Sequence, residues 1–179
     1  MTTTNKLLFL DIDGVLNDHE YSSEAESCLI KPECVKAFNR VIRDTGAEVV
    51  LSSAWRYMIL NKAMTLSGFH YMLRTHGVTK DLKIIGTLPY DKTQKDDGFA
   101  RGRAILEWLR DNTDYCYFDR FEKYDDQDRR QVVKWAAIDD LDLGIAADLA
   151  TESVVMTDGR VGMTEKDADQ LIRILNSRK

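Results

Sequence analysis

The sequence predicts an α/β fold: a three-layer, Rossmann-like parallel sheet with helices on both faces. Three observations predict it. Short apolar runs alternate with segments of helical periodicity. Two of those runs, one ending at Leu10 and one at Ile138, stop at acidic residues that stand 128 positions apart. A third, Glu48–Leu51, stops at two serines. In an open sheet of this kind, chemistry collects at the carboxyl ends of the strands. The three stops would then share one cleft.

Composition sets the frame. At 179 residues, with 44% hydrophobic and 31% charged residues, a single globular domain with a sizeable core is expected. No apolar run approaches the length of a membrane helix. The stretch Met1–Lys6 has no basic, apolar, small-residue signal, so the cytoplasm is the expected compartment. Cys28, Cys34 and Cys116 are odd in number and show no Cys-x-x-Cys spacing, which points to free thiols rather than disulfides or zinc. A net charge of −5 argues against a broad nucleic-acid-coating surface. It leaves room for a local basic site that grips one phosphate or one strand end.

The first strand, Leu7–Leu10, is apolar throughout, as a strand buried on both faces should be. Asp11 and Asp13 follow it, and Gly14 lets the chain turn away. Asp-x-Asp-Gly is also a common polar turn. Placed after a buried strand, it suits phosphoryl chemistry. A carboxylate can attack phosphorus, a second can serve as acid and base, and a hard divalent cation such as Mg²⁺ can offset anion–anion repulsion. Asp11 fits the nucleophile and Asp13 the acid–base group. Residues 17–30 read as a polar loop or flap, in which His19 either touches substrate or is solvated. Pro32 opens a helix whose apolar face is Val35, Phe38, Val41 and Ile42, and Gly46 closes it.

Ser52 and Ser53 end the second strand. Hydroxyls and backbone N–H groups at a strand-to-helix junction suit a phosphate oxygen, and they equally suit a plain helix cap. Arg56 could clamp a second phosphate or a leaving group, or pair with a surface acid. Residues 57–77 read as mainly helical, and Lys83–Thr87 as a third strand. Ala100, Ala104, Ile105, Trp108 and Leu109 mark the next helix, with Arg101 and Arg103 near its start. Cations oppose the helix dipole there, which suggests a bound anion. Arg101 is the first choice for a phosphate-binding cation, with Arg103 and Lys95 as alternatives. Residues 111–131 mix aromatics with acids and read as a small insert. The strand running to Ile138 brings Asp139 and Asp140. Asp139 would complete a Mg²⁺ site with Asp11 and the Asp13 backbone carbonyl, and Asp140 would add a ligand or orient one. A last strand at 153–156 precedes a helix that starts at Thr164 with Asp167 placed for a capping box.

Asp11-Ile12-Asp13-Gly14-Val15-Leu16, Leu51-Ser52, Arg101 and Ile138-Asp139-Asp140, in this order, resemble the haloacid dehalogenase (HAD) superfamily of aspartyl-phosphate phosphatases. The resemblance implies Asp11 as nucleophile, Asp13 as general acid–base, Ser52 as a phosphate hydrogen-bonder and Asp139 as a metal ligand. Arginine stands at residue 101 where that superfamily more often has lysine. The stretches Asp11–Asn17, Ser52–Arg56, Arg101-Gly102 with Glu107-Trp108-Leu109, and Val161–Thr164 look like the small HAD domains associated with RNA-repair proteins. That likeness implies a nucleotide or an RNA or DNA phosphate end as substrate. The gaps between the motifs, about 40 residues each, leave no room for a large cap domain. The expected activity is Mg²⁺-dependent phosphomonoester hydrolysis. A phosphotransferase and a catalytically silent Mg²⁺-binding module are the rival readings.

Overall fold

The computed structural model describes residues 6–18, 30–89, 96–113, 134–143 and 151–177. His19, Lys95 and residues 114–131 of the expected insert lie outside them. The chain runs β1 (Lys6–Leu10), α1 (Pro32–Thr45), β2 (Glu48–Leu51), α2 (Arg56–Leu60), α3 (Leu66–Thr75), β3 (Ile84–Thr87), α4 (Gly98–Asn112), β4 (Lys134–Asp139), β5 (Val154–Met156) and α5 (Glu165–Asn176). The strands form one sheet in the order β3-β2-β1-β4-β5, and every neighbouring pair is parallel.

Because β1 is central, it needs apolar side chains on both faces. Leu8 and Leu10 pack with α1, α3 and α5 through residues such as Phe38, Phe69 and Leu171. Leu7 and Phe9 point the other way and pack with Ile105 and Leu109 of α4 and with Trp135. Phe9 meets Trp108 and Trp135 edge-on, at centroid distances of 5.7 and 6.1 Å. The result is three layers with helices on both faces of a parallel sheet, and no large cap among the described residues.

Local signals explain the helix ends. Pro32 takes the first turn of α1, and Gly46 ends it with a left-handed φ of 65°. Thr164 and Asp167 form a reciprocal capping box on α5. The single helical stretch expected over 57–77 is broken in two. Lys62 adopts φ 60°, which stops α2. The Thr65 hydroxyl then accepts from the Gly68 N–H and opens α3. Residues 111–112, expected in the insert, instead complete α4. No helix among the described residues is long and apolar enough to cross a membrane.

Candidate active site

Register builds the site. Leu10 pairs with Leu51 on one side and with Ile138 on the other. The next residues in the three strands, Asp11, Ser52 and Asp139, therefore stand side by side. Backbone bonds continue the ladder to that row: Asp11 N–H donates to Ile138 O at 3.1 Å, and Ser52 N–H donates to Leu10 O at 2.9 Å. The chain winds outward from β1 to β2 and β3, then crosses back to β4 on the other side. Asp11 and Asp139 thus flank the point where the strand order reverses, the usual place for a ligand crevice.

Asp11 is buried, and its Oδ1 accepts the Ile12 N–H at 2.8 Å. The Ser53 side chain also hydrogen-bonds it. Asp139 is wholly buried, and its Oδ1 accepts the Leu141 N–H at 2.9 Å. Arg101 lies between the two acids. Its Nη1 donates to Asp11 Oδ2 at 2.6 Å and to Asp139 Oδ2 at 2.9 Å. Burial raises the Asp11 carboxyl above its ordinary range, with Arg101 opposing. Burial and the neighbouring Asp11 push Asp139 up to about 7. Burial disfavours the Arg101 charge, but Asp11, Asp139 and Asp96 outweigh it and raise the guanidinium further. The sequence suggests a bound anion beside this cation; the structure sets three of the protein's own carboxylates, Asp11, Asp139 and Asp96, against it.

Carboxylate oxygens of Asp11, Asp139 and Asp140 all lie within 4.8 Å of one another. Three hard oxygen donors, two of them buried, fit a small divalent cation. Gly14 leaves room for the third. Its φ is +72°, and a Cβ there would stand 2.6 Å from the Asp140 carboxyl carbon. Gly98 does the same for α4, since a Cβ would meet the Asp142 carbonyl oxygen at 2.4 Å. That close approach seats the start of the helix against the loop after β4 and carries Arg101 into the cleft.

Asp13 points elsewhere. Its Oδ2 accepts from the Trp55 indole Nε1 at 2.8 Å and its Oδ1 from Asn17 Nδ2 at 3.0 Å. Ser52 has its backbone bonded on both sides, with Arg56 Nη1 donating to its carbonyl at 2.7 Å. Its hydroxyl is buried with no hydrogen-bond partner among the described residues. A buried hydroxyl left unpaired is costly unless a ligand completes it.

Arg56 is buried and held away from solvent. Besides the Ser52 carbonyl, its Nη2 donates to Asp96 Oδ1 at 3.0 Å. The same carboxylate accepts from Arg101 Nε at 3.3 Å. Arg103 is exposed, pairs with Glu107 at 3.9 Å and stacks on Phe99, outside the acid cluster. Asp96, Asn17 and the Trp55 indole are structural members of the site that sequence reading did not single out for roles in it. The signal for choosing between the arginines was present: Arg101 falls on the buried stripe of α4 with Gly98, Ile105 and Leu109, and Arg103 does not.

An open parallel sheet with acids at its switch point and a basic side chain between them defines a HAD-type α/β domain. The chain matches the family described as "HAD domain in Swiss Army Knife RNA repair proteins" over residues 7–168, and it belongs to that family. No curated protein and no solved structure matched it.

Proposed function

We propose that this chain is a Mg²⁺-dependent phosphomonoesterase working through an aspartyl-phosphate on Asp11, with a nucleotide or a nucleic-acid phosphate end as substrate. The observation that carries this is the cluster of Asp11, Asp139 and Asp140 bracketed by Arg101. The substrate class follows the family's printed association with RNA repair. We read the chain as one phosphatase unit with a short insert after α4.

Asp11, Asp139 and Asp140 would hold the ion, together with the Asp13 carbonyl. When bound, it supplies positive charge that lets an anionic nucleophile approach an anionic phosphoryl group. An Asp11 carboxylate oxygen attacks phosphorus as the bond to the leaving oxygen breaks, and Asp13 delivers its proton to that oxygen. Asp13 then takes a proton from water. The water oxygen attacks phosphorus, the bond to Asp11 breaks, and inorganic phosphate leaves. Ser52 donates its hydroxyl proton to a phosphoryl oxygen, and Arg101 balances charge on the transferring group. Ser53 supports Asp11.

The test is phosphate release with and without Mg²⁺ from an aryl phosphate, nucleoside monophosphates, and oligonucleotides bearing a 5′- or 3′-phosphate. Mg²⁺-dependent release that Asp11→Asn abolishes is the expected result. Mg²⁺ binding without release from any substrate would favour a silent module. Transfer to an added alcohol in preference to water would favour a phosphotransferase.

A further inference from the structure

Asp13 is gripped at both oxygens by side chains from two different turns. Trp55 belongs to the turn after β2, directly beyond Ser52 and Ser53. Its ring meets Phe69 edge-on at 6.2 Å, and its backbone N–H donates to Ser53 Oγ at 3.3 Å, so the indole has little freedom to swing. Asn17 belongs to the turn after β1 and is buried. Its Oδ1 accepts the Gly14 N–H at 2.9 Å. A backbone N–H can only donate, which fixes the amide with oxygen toward Gly14 and nitrogen toward Asp13. Both groups facing Asp13 are therefore donors, and the indole can never act as an acceptor. Among the described residues each Asp13 oxygen keeps one further acceptor position, which is where a proton in transit must sit.

We propose that Trp55 and Asn17 are positioning residues that hold the Asp13 carboxyl in the one orientation from which it can exchange protons with the leaving oxygen and with water. The inference rests on the phosphatase reading above and goes beyond it. It makes the turn after β2 bifunctional. Ser52 seats the phosphoryl group, and Trp55, three residues on, sets the position of the acid relative to that seat.

The readout is dependence on the leaving group. A phenol that leaves readily needs little proton delivery, whereas an alkoxide needs it fully. Wild type, Asp13→Asn, Trp55→Phe and Asn17→Asp are compared on 4-nitrophenyl phosphate and 2-phenylethyl phosphate, two esters of similar size. Trp55→Phe keeps a ring and removes the N–H. Asn17→Asp keeps the acceptor for Gly14 and replaces the permanent amide donor with a second carboxyl group that competes with Asp13 for one proton. Each is expected to lower kcat on the alkyl ester about tenfold or more, the scale of a lost hydrogen bond to a charged group. The loss on the nitrophenyl ester should be several-fold smaller, with KM within about twofold on both.

Asp13→Asn should show the same asymmetry in stronger form. An equal loss on both esters, a change in KM alone, or no loss overturns the inference while leaving the phosphatase reading intact. Absence of Mg²⁺-dependent turnover by wild type overturns both. If Trp55→Phe melts below the assay temperature, Asn17→Asp decides.

Discussion

Arg101 Nη1 lies 2.6 Å from Asp11 Oδ2, across 90 residues of sequence, and the same nitrogen reaches Asp139. One guanidinium thus bridges two buried carboxylates and offsets part of their mutual repulsion. Arg101→Ala should destabilise the metal-free protein by about 3 kcal/mol, the scale for removing one partner from a buried ion pair. Added Mg²⁺ should restore part of that loss by replacing the charge. Chemical unfolding with and without Mg²⁺ checks both. Turnover should fall about 100-fold or more, as for loss of a transition-state donor.

The raised Asp139 carboxyl gives a pH signature. Its folded value is about 7 against an ordinary value of 3.8. Between these values the folded state holds more protons than the unfolded state, so stability falls as pH rises. The contribution is present in full below about 4 and is lost as pH passes 7. Thermal melts of the metal-free protein should therefore drop from pH 6 to pH 8, and Asp139→Asn should flatten the drop. Mg²⁺ competes with the proton for this carboxylate, so its stabilising effect should be larger at pH 8 than at pH 6.

Ser52 separates function from stability. Its hydroxyl makes no hydrogen bond among the described residues, so Ser52→Ala should leave the unfolding free energy unchanged or raise it by up to about 1–3 kcal/mol, the cost of an unpaired buried hydroxyl, and should not lower it. Phosphate release should nevertheless fall about 100-fold. Urea unfolding beside steady-state kinetics tests the pair of outcomes.

Asp96 should behave in the opposite way. It ties Arg56 to Arg101, and both arginines are buried. Burial pushes its carboxyl up, but hydrogen bonds from Arg56 and Tyr57 and the charge of Arg101 bring it below the ordinary value. Asp96→Ala should cost about 3 kcal/mol of stability. It should also lower turnover, because Arg101 loses the partner that orients its Nε. Unfolding midpoints and kcat together distinguish this from a purely structural loss.

Reading the chain reached some of these residues and missed others for a physical reason. Asp11, Asp139 and Ser52 follow apolar strands, and register in a parallel sheet converts equal strand ends into neighbours. Pro32, Gly46 and the Thr164–Asp167 box are local chemistry, legible within four residues. Asp96 stands in a charged segment with no periodicity, and nothing near it in sequence shows that Arg56, 40 positions earlier, turns inward to meet it. The Trp55–Asp13 bond spans 42 positions and joins two turns, so it exists only once β1 and β2 are paired. The break between α2 and α3 depends on one left-handed residue, Lys62, whose side chain carries no signal for it.

The place of β1 has a consequence for biosynthesis. Its first neighbour, β2, begins 38 residues after Leu10, but its second, β4, begins 124 residues after it. At about 5–20 residues per second, a ribosome needs on the order of ten seconds to make that second partner. Until then one edge of a strand that is apolar on both faces has no β4 to pair with, and an edge of that kind invites foreign strands. The same delay separates Asp11 from Asp139. A chain that stops before Lys134 would therefore be an aggregation-prone fragment rather than a weakened enzyme, and the acid cluster assembles only in chains translated past β4.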